Sequence, residues 1–418
     1  MKKPLLIILL VAVLGGLVYA GHFYWRHLRG AAPALKSPPG EIARLLESPK
    51  SPGPPTGKWD EINGAPLTLP PGFAISIFAR DLGGPRVLLQ DPEGNLLVSL
   101  TRQGKVVALP DRSHRGVADE AVTVLQGLDH PHGLAFGPED PPRLYVAETN
   151  RVAVYDYDPQ KLAAANPKKI LDLPPGGRHF TRTLLFMPPP NEHRLLISVG
   201  SSCDTCVEKD WRYAKILVAD ASGANLSTFA SGLRNSVFMA THPRTGHLWA
   251  TEMGRDYLGD DLPPDEINVI VEGGNYGWPW CYGKRVHDDK FDPKGTHQEF
   301  CKDTLPSFID IPAHSAPLGL AFFPEEWPWE YRFHLLAAYH GSWNRTIPTG
   351  YKVVRFKLDN QGNYLGVEDF ITGWLTPEGA LGRPVDILIK DNGEIFISDD
   401  KAGVVYRVVN NRMSGSRY

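Results

Sequence analysis

Residues 71–410 predict an all-β fold, a six-bladed β-propeller carried outside the cytoplasm. Three observations point there. The 418-residue chain holds 41 glycines and 38 prolines, which punctuate it with turns and leave little room for long helices. From Phe73 onward, apolar residues come in short runs bounded by Gly, Pro, Asp and Asn. A unit of two such runs then recurs six times.

At the N-terminus, Lys2 and Lys3 precede an apolar run over residues 4–20. Val18-Tyr19-Ala20 offers a small-residue cleavage site, while Phe23, Tyr24 and Trp25 followed by Arg26, His27 and Arg29 resemble the interfacial flank of a retained helix. Residues 1–30 therefore read as a signal peptide or a membrane anchor. Either carries the rest across a membrane, to a periplasmic or other extracytoplasmic site, tethered to the inner membrane if the segment is kept. Residues 31–70, with Ser51-Pro52-Gly53-Pro54-Pro55, read as a Pro/Gly-rich linker.

The six repeats fall at residues 87–98, 133–148, 183–199, 237–252, 318–339 and 385–399. Each has an apolar strand, a turn, and a second strand ending in small or acidic residues, and further strands follow at 152–155, 353–356 and 404–408. Residues 73–78 are placed to complete the sixth blade and join the two chain ends. Radial repetition leaves only short, protected edges; a β-sandwich would not explain six similar units. A short helix is expected near 159–165, and residues 411–418 form a tail.

The net charge of −3, with no long basic run, argues against nucleic acid as a partner. An exported chain favours disulfides, and Cys281 and Cys301 flank a charged loop as an expected pair. Cys203 and Cys206 form a CxxC whose readings include redox chemistry, metal and haem. Val207 stands where haem attachment needs His, and no second CxxC supports zinc, so a local disulfide is preferred.

In a propeller, residues just before each inner strand face the channel from one end. Here they are Arg86, His130, His132, His179, Arg182, Arg234, Asn235, His314 and Arg383. Such a set of cations and imidazoles suits an anionic ligand rich in hydrogen-bond acceptors.

The segments HFTRTLLF (179–186), GLRN (232–235), DEINVI (265–270) running into GGNYGWP (273–279), HGSWNR (340–345) and GRPVD (382–386) resemble the pyrroloquinoline quinone (PQQ)-dependent soluble glucose/sorbosone dehydrogenase family, especially its sorbosone dehydrogenase-like branch. The resemblance spans about residues 69–409. It implies an oxidoreductase that takes hydride from a sugar or sugar aldehyde onto PQQ, with calcium as Lewis acid and an external electron acceptor. His179 matches the catalytic base, apt because imidazole titrates near operating pH. Arg234, Asn235 and Arg383 match cofactor-binding positions, and Asn344 and Arg345 lie where a cofactor-binding lysine is expected. Gly254 and Arg255 align with main-chain calcium ligands, beside the acidic stretch Asp256, Asp260, Asp261, Asp265 and Glu266. Val237 and Val385 replace a glutamine and an arginine of the family pattern. The acid that supports the histidine is absent near Gly200-Ser201-Ser202, where Asp204 is a candidate substitute. Two other classes stay open: a non-catalytic carbohydrate- or partner-binding propeller, and a calcium-dependent lactonase-type hydrolase.

Overall fold

The computed structural model describes residues 2–29, 42, 60–62 and 65–414. Six four-stranded antiparallel sheets make up six blades, each running from an inner strand to an outer edge. The first blade is built from Leu88–Gln90, Leu96–Leu100, Lys105–Leu109 and Val122–Gln126, and the second from Leu134–Phe136, Arg143–Ala147, Arg151–Asp158 and Ala163–Asp172. The third uses Arg182–Phe186, Arg194–Val199, Lys215–Asp220 and Ser227–Ser231, and the fourth Met239–Thr241, Leu248–Glu252, Asp265–Ile270 and Ile309–Ile311. The fifth uses Pro317–Phe322, Leu335–Tyr339, Lys352–Leu358 and Tyr364–Ile371. The sixth takes Pro384–Ile389, Glu394–Asp399 and Val404–Asn410 from the end of the chain and Phe73–Ala79 from its beginning. The expected closure by 73–78 is therefore present, with Phe73 opposite Asn410 and Ile77 opposite Tyr406.

The second strands are buried along nearly their whole length because a blade lies against each face. Their small C-terminal residues have a specific job. The hydroxyls of Thr101, Thr251 and Ser398 donate to Pro131 O (2.7 Å), Leu318 O (2.8 Å) and Arg86 O (2.5 Å). Each of these bonds crosses from one blade to the next. Buried carboxylates do the same: Asp386 accepts from Leu88 N and Asp265 from Ala316 N, both at 2.8 Å. Backbone groups that no sheet partner reaches are satisfied this way.

The helix expected near 159–165 does not form. Leu162 (φ 50°) and Asn166 (φ 53°) take left-handed backbone conformations, and the stretch turns directly into Ala163–Asp172. Most of the 31–70 linker lies outside the described residues; at its end Asp60–Ile62 pairs with Ala65–Leu69, and Thr68 exchanges backbone bonds with Thr372 at 2.9 and 3.1 Å. In the tail, Asn411–Ser414 is helical. Both disulfides exist, Cys203–Cys206 and Cys281–Cys301. The second ties down the insertion between the third and fourth strands of the fourth blade. At the N-terminus, Lys2–Phe23 is helical and continues through Tyr24–Leu28; Ile7–Leu28 is long and apolar enough to cross a membrane.

Candidate active site

The loops that join second to third strands, and each blade to the next, share one face. Between them a cavity of about 290 Å³ opens among the third to sixth blades. Larger hollows of about 640 and 430 Å³ lie at the junction of the first and sixth blades and gather none of the residues singled out from the sequence.

His179 lines the cavity on the loop entering the third blade. Its Nδ1 lies 2.9 Å from Ser201 Oγ and 3.1 Å from Ser201 O. The carbonyl can only accept, and the hydroxyl spends its own proton on Cys203 O at 2.6 Å. Nδ1 therefore carries the hydrogen and Nε2 the lone pair. Burial, reinforced by the Arg234 and Arg178 cations, pushes the His179 pKa down to about 3, so the ring is neutral at physiological pH. Gly200 permits this placement: a Cβ there would stand 2.5 Å from Asn235 Oδ1 and 2.6 Å from His179 Cβ.

Arg234 also lines the cavity, but much of its guanidinium is already engaged. Nε donates to Asp204 O (2.8 Å), Nη1 to Met253 O (3.2 Å), and Nη2 to Asp204 Oδ1 (2.7 Å) and Asp256 Oδ2 (3.5 Å). Asp204 thus does not replace the missing acid behind the histidine; Ser201 holds His179, and Asp204 holds Arg234. Burial raises the Asp204 carboxyl, yet Arg234 and the Asp256 backbone N–H outweigh it and keep it below the usual range. Asp256 pairs with Arg178 and accepts from Asn344 Nδ2 at 2.7 Å. The remaining oxygen of that amide, Asn344 Oδ1, is buried without a protein partner.

Arg383 reaches the cavity from the sixth blade, donating to His340 O (2.9 Å) and Gly341 O (2.7 Å). His340, beside it, bonds Asp400 at 2.8 Å, and Asp400 also pairs with Arg86 at 2.6 Å. Burial, then Arg383, pushes the His340 pKa to about 4. Arg178, Asp256, His340 and Trp343 line the cavity too, although no motif assigns Arg178 a role. Its only signal was its place directly before His179.

Several expected residues stand elsewhere. Arg345 turns outward to Asp261 (2.9 Å) and does not line the cavity. Asn235 is buried behind His179 rather than in the cavity wall, donating its N–H to Glu252 at 2.8 Å. Gly254 lines the cavity, whereas the Arg255 side chain leaves it for Asp288 at 2.8 Å. Among the described residues no hydrogen bond reaches the carbonyl of either. Arg182 is fully buried and caps the carbonyls of Pro174, His179 and Thr181, and His132 is buried against Arg182 O. Both are structural, as is Arg86 through Asp400, so the ring of cations reduces to an arc. Val237 and Val385 belong to the central apolar core.

The wall therefore offers three guanidiniums (Arg178, Arg234 and Arg383), an unpaired amide oxygen, the indole of Trp343 and a histidine with a free Nε2. That set fits a flat, polyanionic ring system such as PQQ. Of the two residues expected to hold a hard cation, Gly254 lines this cavity and Arg255 does not. Among the described residues the only close cluster of His, Cys, Asp and Glu ligand atoms is Cys203, Cys206 and Glu208, whose sulfurs are in a disulfide.

A family model described as TrAA12-like matches residues 67–411. An uncharacterized protein of Borreliella burgdorferi is 28% identical over 361 residues, covering 82% of this chain and 90% of that protein. The pyrroloquinoline quinone-dependent pyranose dehydrogenase of Coprinopsis cinerea is 26% identical over 326 residues, covering 68% of this chain. The chain spans less than half, 44%, of that enzyme's length. In fold, it is similar to the calcium structure of a Trichoderma reesei protein of carbohydrate-active enzyme family AA12: TM-score 0.70 at 21% identity, covering 86% of this chain and 99% of that one.

Proposed function

The chain belongs to the TrAA12-like family, and on that premise we infer that it is a PQQ-dependent dehydrogenase oxidising a sugar at a hemiacetal or hydrated aldehyde carbon. The observation that carries this reading is His179: a neutral imidazole, its Nδ1–H bonded to Ser201, at the wall of a cationic cavity. The pyranose dehydrogenase named above supports the cofactor, and the calcium-bound AA12 structure supports the metal.

Bound PQQ would supply the hydride acceptor and calcium the Lewis acid. Nε2 of His179 takes the proton of the sugar hydroxyl as its carbon gives up hydride, so the sugar loses two electrons and two hydrogens. Ser201 keeps the ring in the tautomer that can accept. Arg178, Arg234 and Arg383 would hold the cofactor's carboxylates, and Asn344 Oδ1 is available to accept a hydrogen bond. Offsetting the Arg178 and Arg234 charges in this way would raise the His179 pKa from its value in the free protein and strengthen it as a base. Gly254 and Arg255 would offer their carbonyls to calcium. A sorbosone-like sugar is one candidate substrate, aldoses another.

The test is a titration of the purified protein with PQQ and calcium, followed by melting temperature and by sugar-dependent reduction of a dye. Stabilisation together with turnover is expected. No stabilisation and no turnover with any aldose would remove the reading. A saccharide-binding propeller without catalysis draws support from Arg234, whose donors are largely used internally; sugar binding without PQQ would favour it.

A further inference from the structure

The face that carries the cavity also carries an apolar collar. Tyr257 and Leu262 sit on one loop of the fourth blade, Trp343 and Ile347 on the matching loop of the fifth, and Phe180 on the loop beside His179. All five are exposed, Ile347 at 73% and Leu262 at 47%. The two long loops are fastened together, Thr346 N donating to Asp260 (3.0 Å) and Arg345 pairing with Asp261 (2.9 Å). The collar is thus a held surface. An exposed group of aliphatic and aromatic side chains around a polar cavity marks a contact surface.

The N-terminal helix indicates what covers it. Its last turns touch this rim: the Phe23 and His27 rings each lie 5.6 Å from Tyr257, and Tyr257 in turn packs edge-on against Trp343 at 5.9 Å. Phe23 stands five positions before the end of the apolar segment at Leu28. At 1.5 Å per residue that is roughly 7 Å inside it, about the depth of a headgroup layer. Were the segment to span a bilayer, Tyr257 would be drawn to the lipid boundary, with Leu262, Trp343 and Ile347 around it. Trp25 with Arg29 stacked on it at 4.6 Å, and Arg26, make an aromatic and basic belt at the same level.

From this juxtaposition we propose that the helix is retained as a tether and that the cavity-bearing face docks on the lipid surface, with the collar in the headgroup layer. Docking adds buried apolar area to the anchoring, and it turns the cavity mouth toward the membrane plane. The proposal stands on the tether and the collar alone; the activity inferred above is not needed for it.

The experiment uses the full chain reconstituted in vesicles of phosphatidylcholine and phosphatidylglycerol in equal parts. Ile347→Cys and, separately, Trp329→Cys carry an environment-sensitive fluorophore. Trp329 is 83% exposed in the turn between first and second strands of the fifth blade, on the opposite face. An unchanged melting temperature confirms that each labelled protein is folded. Nitroxide lipids labelled at headgroup depth are expected to quench the label at 347 several-fold more than the label at 329. Equal quenching at the two sites overturns the proposal. So does a label at 347 that is blue-shifted but unquenched, which would mean a second protein copy covers the face. A membrane-released protein beginning after Ala20 overturns the tether.

Discussion

Nδ1 of His179 donates to Ser201, and that bond leaves Nε2 as the only basic atom the ring can turn to a substrate. Ser201→Ala removes one of two acceptors and leaves the backbone carbonyl. A positioning role predicts a fall in kcat of about 10-fold with cofactor affinity unchanged. His179→Ala should cost at least about 100-fold in kcat and likewise keep cofactor binding. Steady-state kinetics beside a cofactor titration separates the two effects; equal turnover in His179→Ala rules out the base.

Burial, Arg234 and Arg178 hold His179 at a pKa of about 3 in the free protein. The acid limb of kcat/KM reports the free base, which must be unprotonated. Turnover is read on the cofactor-loaded enzyme, whose carboxylates offset part of that cationic field, so the limb should fall between the free-protein value and the ordinary imidazole value of about 6.5, held down by burial. Arg178→Ala, which removes one cation, should move it upward. A limb that stays in place in that variant would show that Arg178 does not act on the histidine.

Gly200→Ala puts a methyl 2.5 Å from Asn235 Oδ1 and 2.6 Å from His179 Cβ. Overpacking of this kind costs about 1–3 kcal/mol. Because the strain falls on the base, kcat should drop more than the melting temperature implies. An active, fully stable variant would mean that the loop yields freely.

Burial raises Glu252 to a pKa of about 8 and Asp265 and Asp386 to about 7. These groups bind more protons folded than unfolded, so their contribution is complete below their unfolded values near 4 and is lost as pH rises toward 8. His179 and His340 have the opposite sign: depressed to about 3 and 4, they lower stability as pH falls below about 6.5. Above about 7.5 the histidines are close to neutral in both states while Glu252 still titrates, and from there to about 8.5 the melting temperature should decline. A melting temperature that rises across that window contradicts the buried, protonated acids.

Opening Cys281–Cys301, a bridge across 20 positions, should cost about 3 kcal/mol by loop entropy. Chemical unfolding of the Cys281→Ala/Cys301→Ala protein measures it. The insertion lies outside the four strands of its blade, so the propeller should persist.

The fold was legible because its strands come in pairs of local signals. A run such as 385–389 followed by Asn392-Gly393 and 395–398 reads as a hairpin without tertiary knowledge. The fourth strands were less visible: Ala163–Asp172 is mostly exposed and shows no alternation, and a short helix was expected at 159–165, overlapping only its start. The site was partly legible. The identity of His179, Arg234 and Arg383 followed from motifs, but the sequence could not say where each side chain spends its hydrogen bonds. Arg345 and Asn344 are neighbours in one motif, yet one turns out to Asp261 and the other in to Asp256. Arg182 and His132 look like site residues by position and are structural by burial. Asp204 looked like a partner for the histidine and belongs to Arg234, because the Cys203–Cys206 loop carries it past His179.

The sixth blade has a consequence for how the protein is made. Phe73–Ala79 emerges early in synthesis, and its partner Val404–Asn410 almost last. For the time between, the early strand has an open edge and nothing of its own chain to pair with. If the N-terminal helix leads the chain across a membrane, that waiting strand is delivered first to the far side. The ring can close only after nearly the whole polypeptide has followed. Ring closure is thereby deferred until the chain is nearly complete, and a chain truncated before residue 404 is left as an unclosed ring with two exposed strand edges.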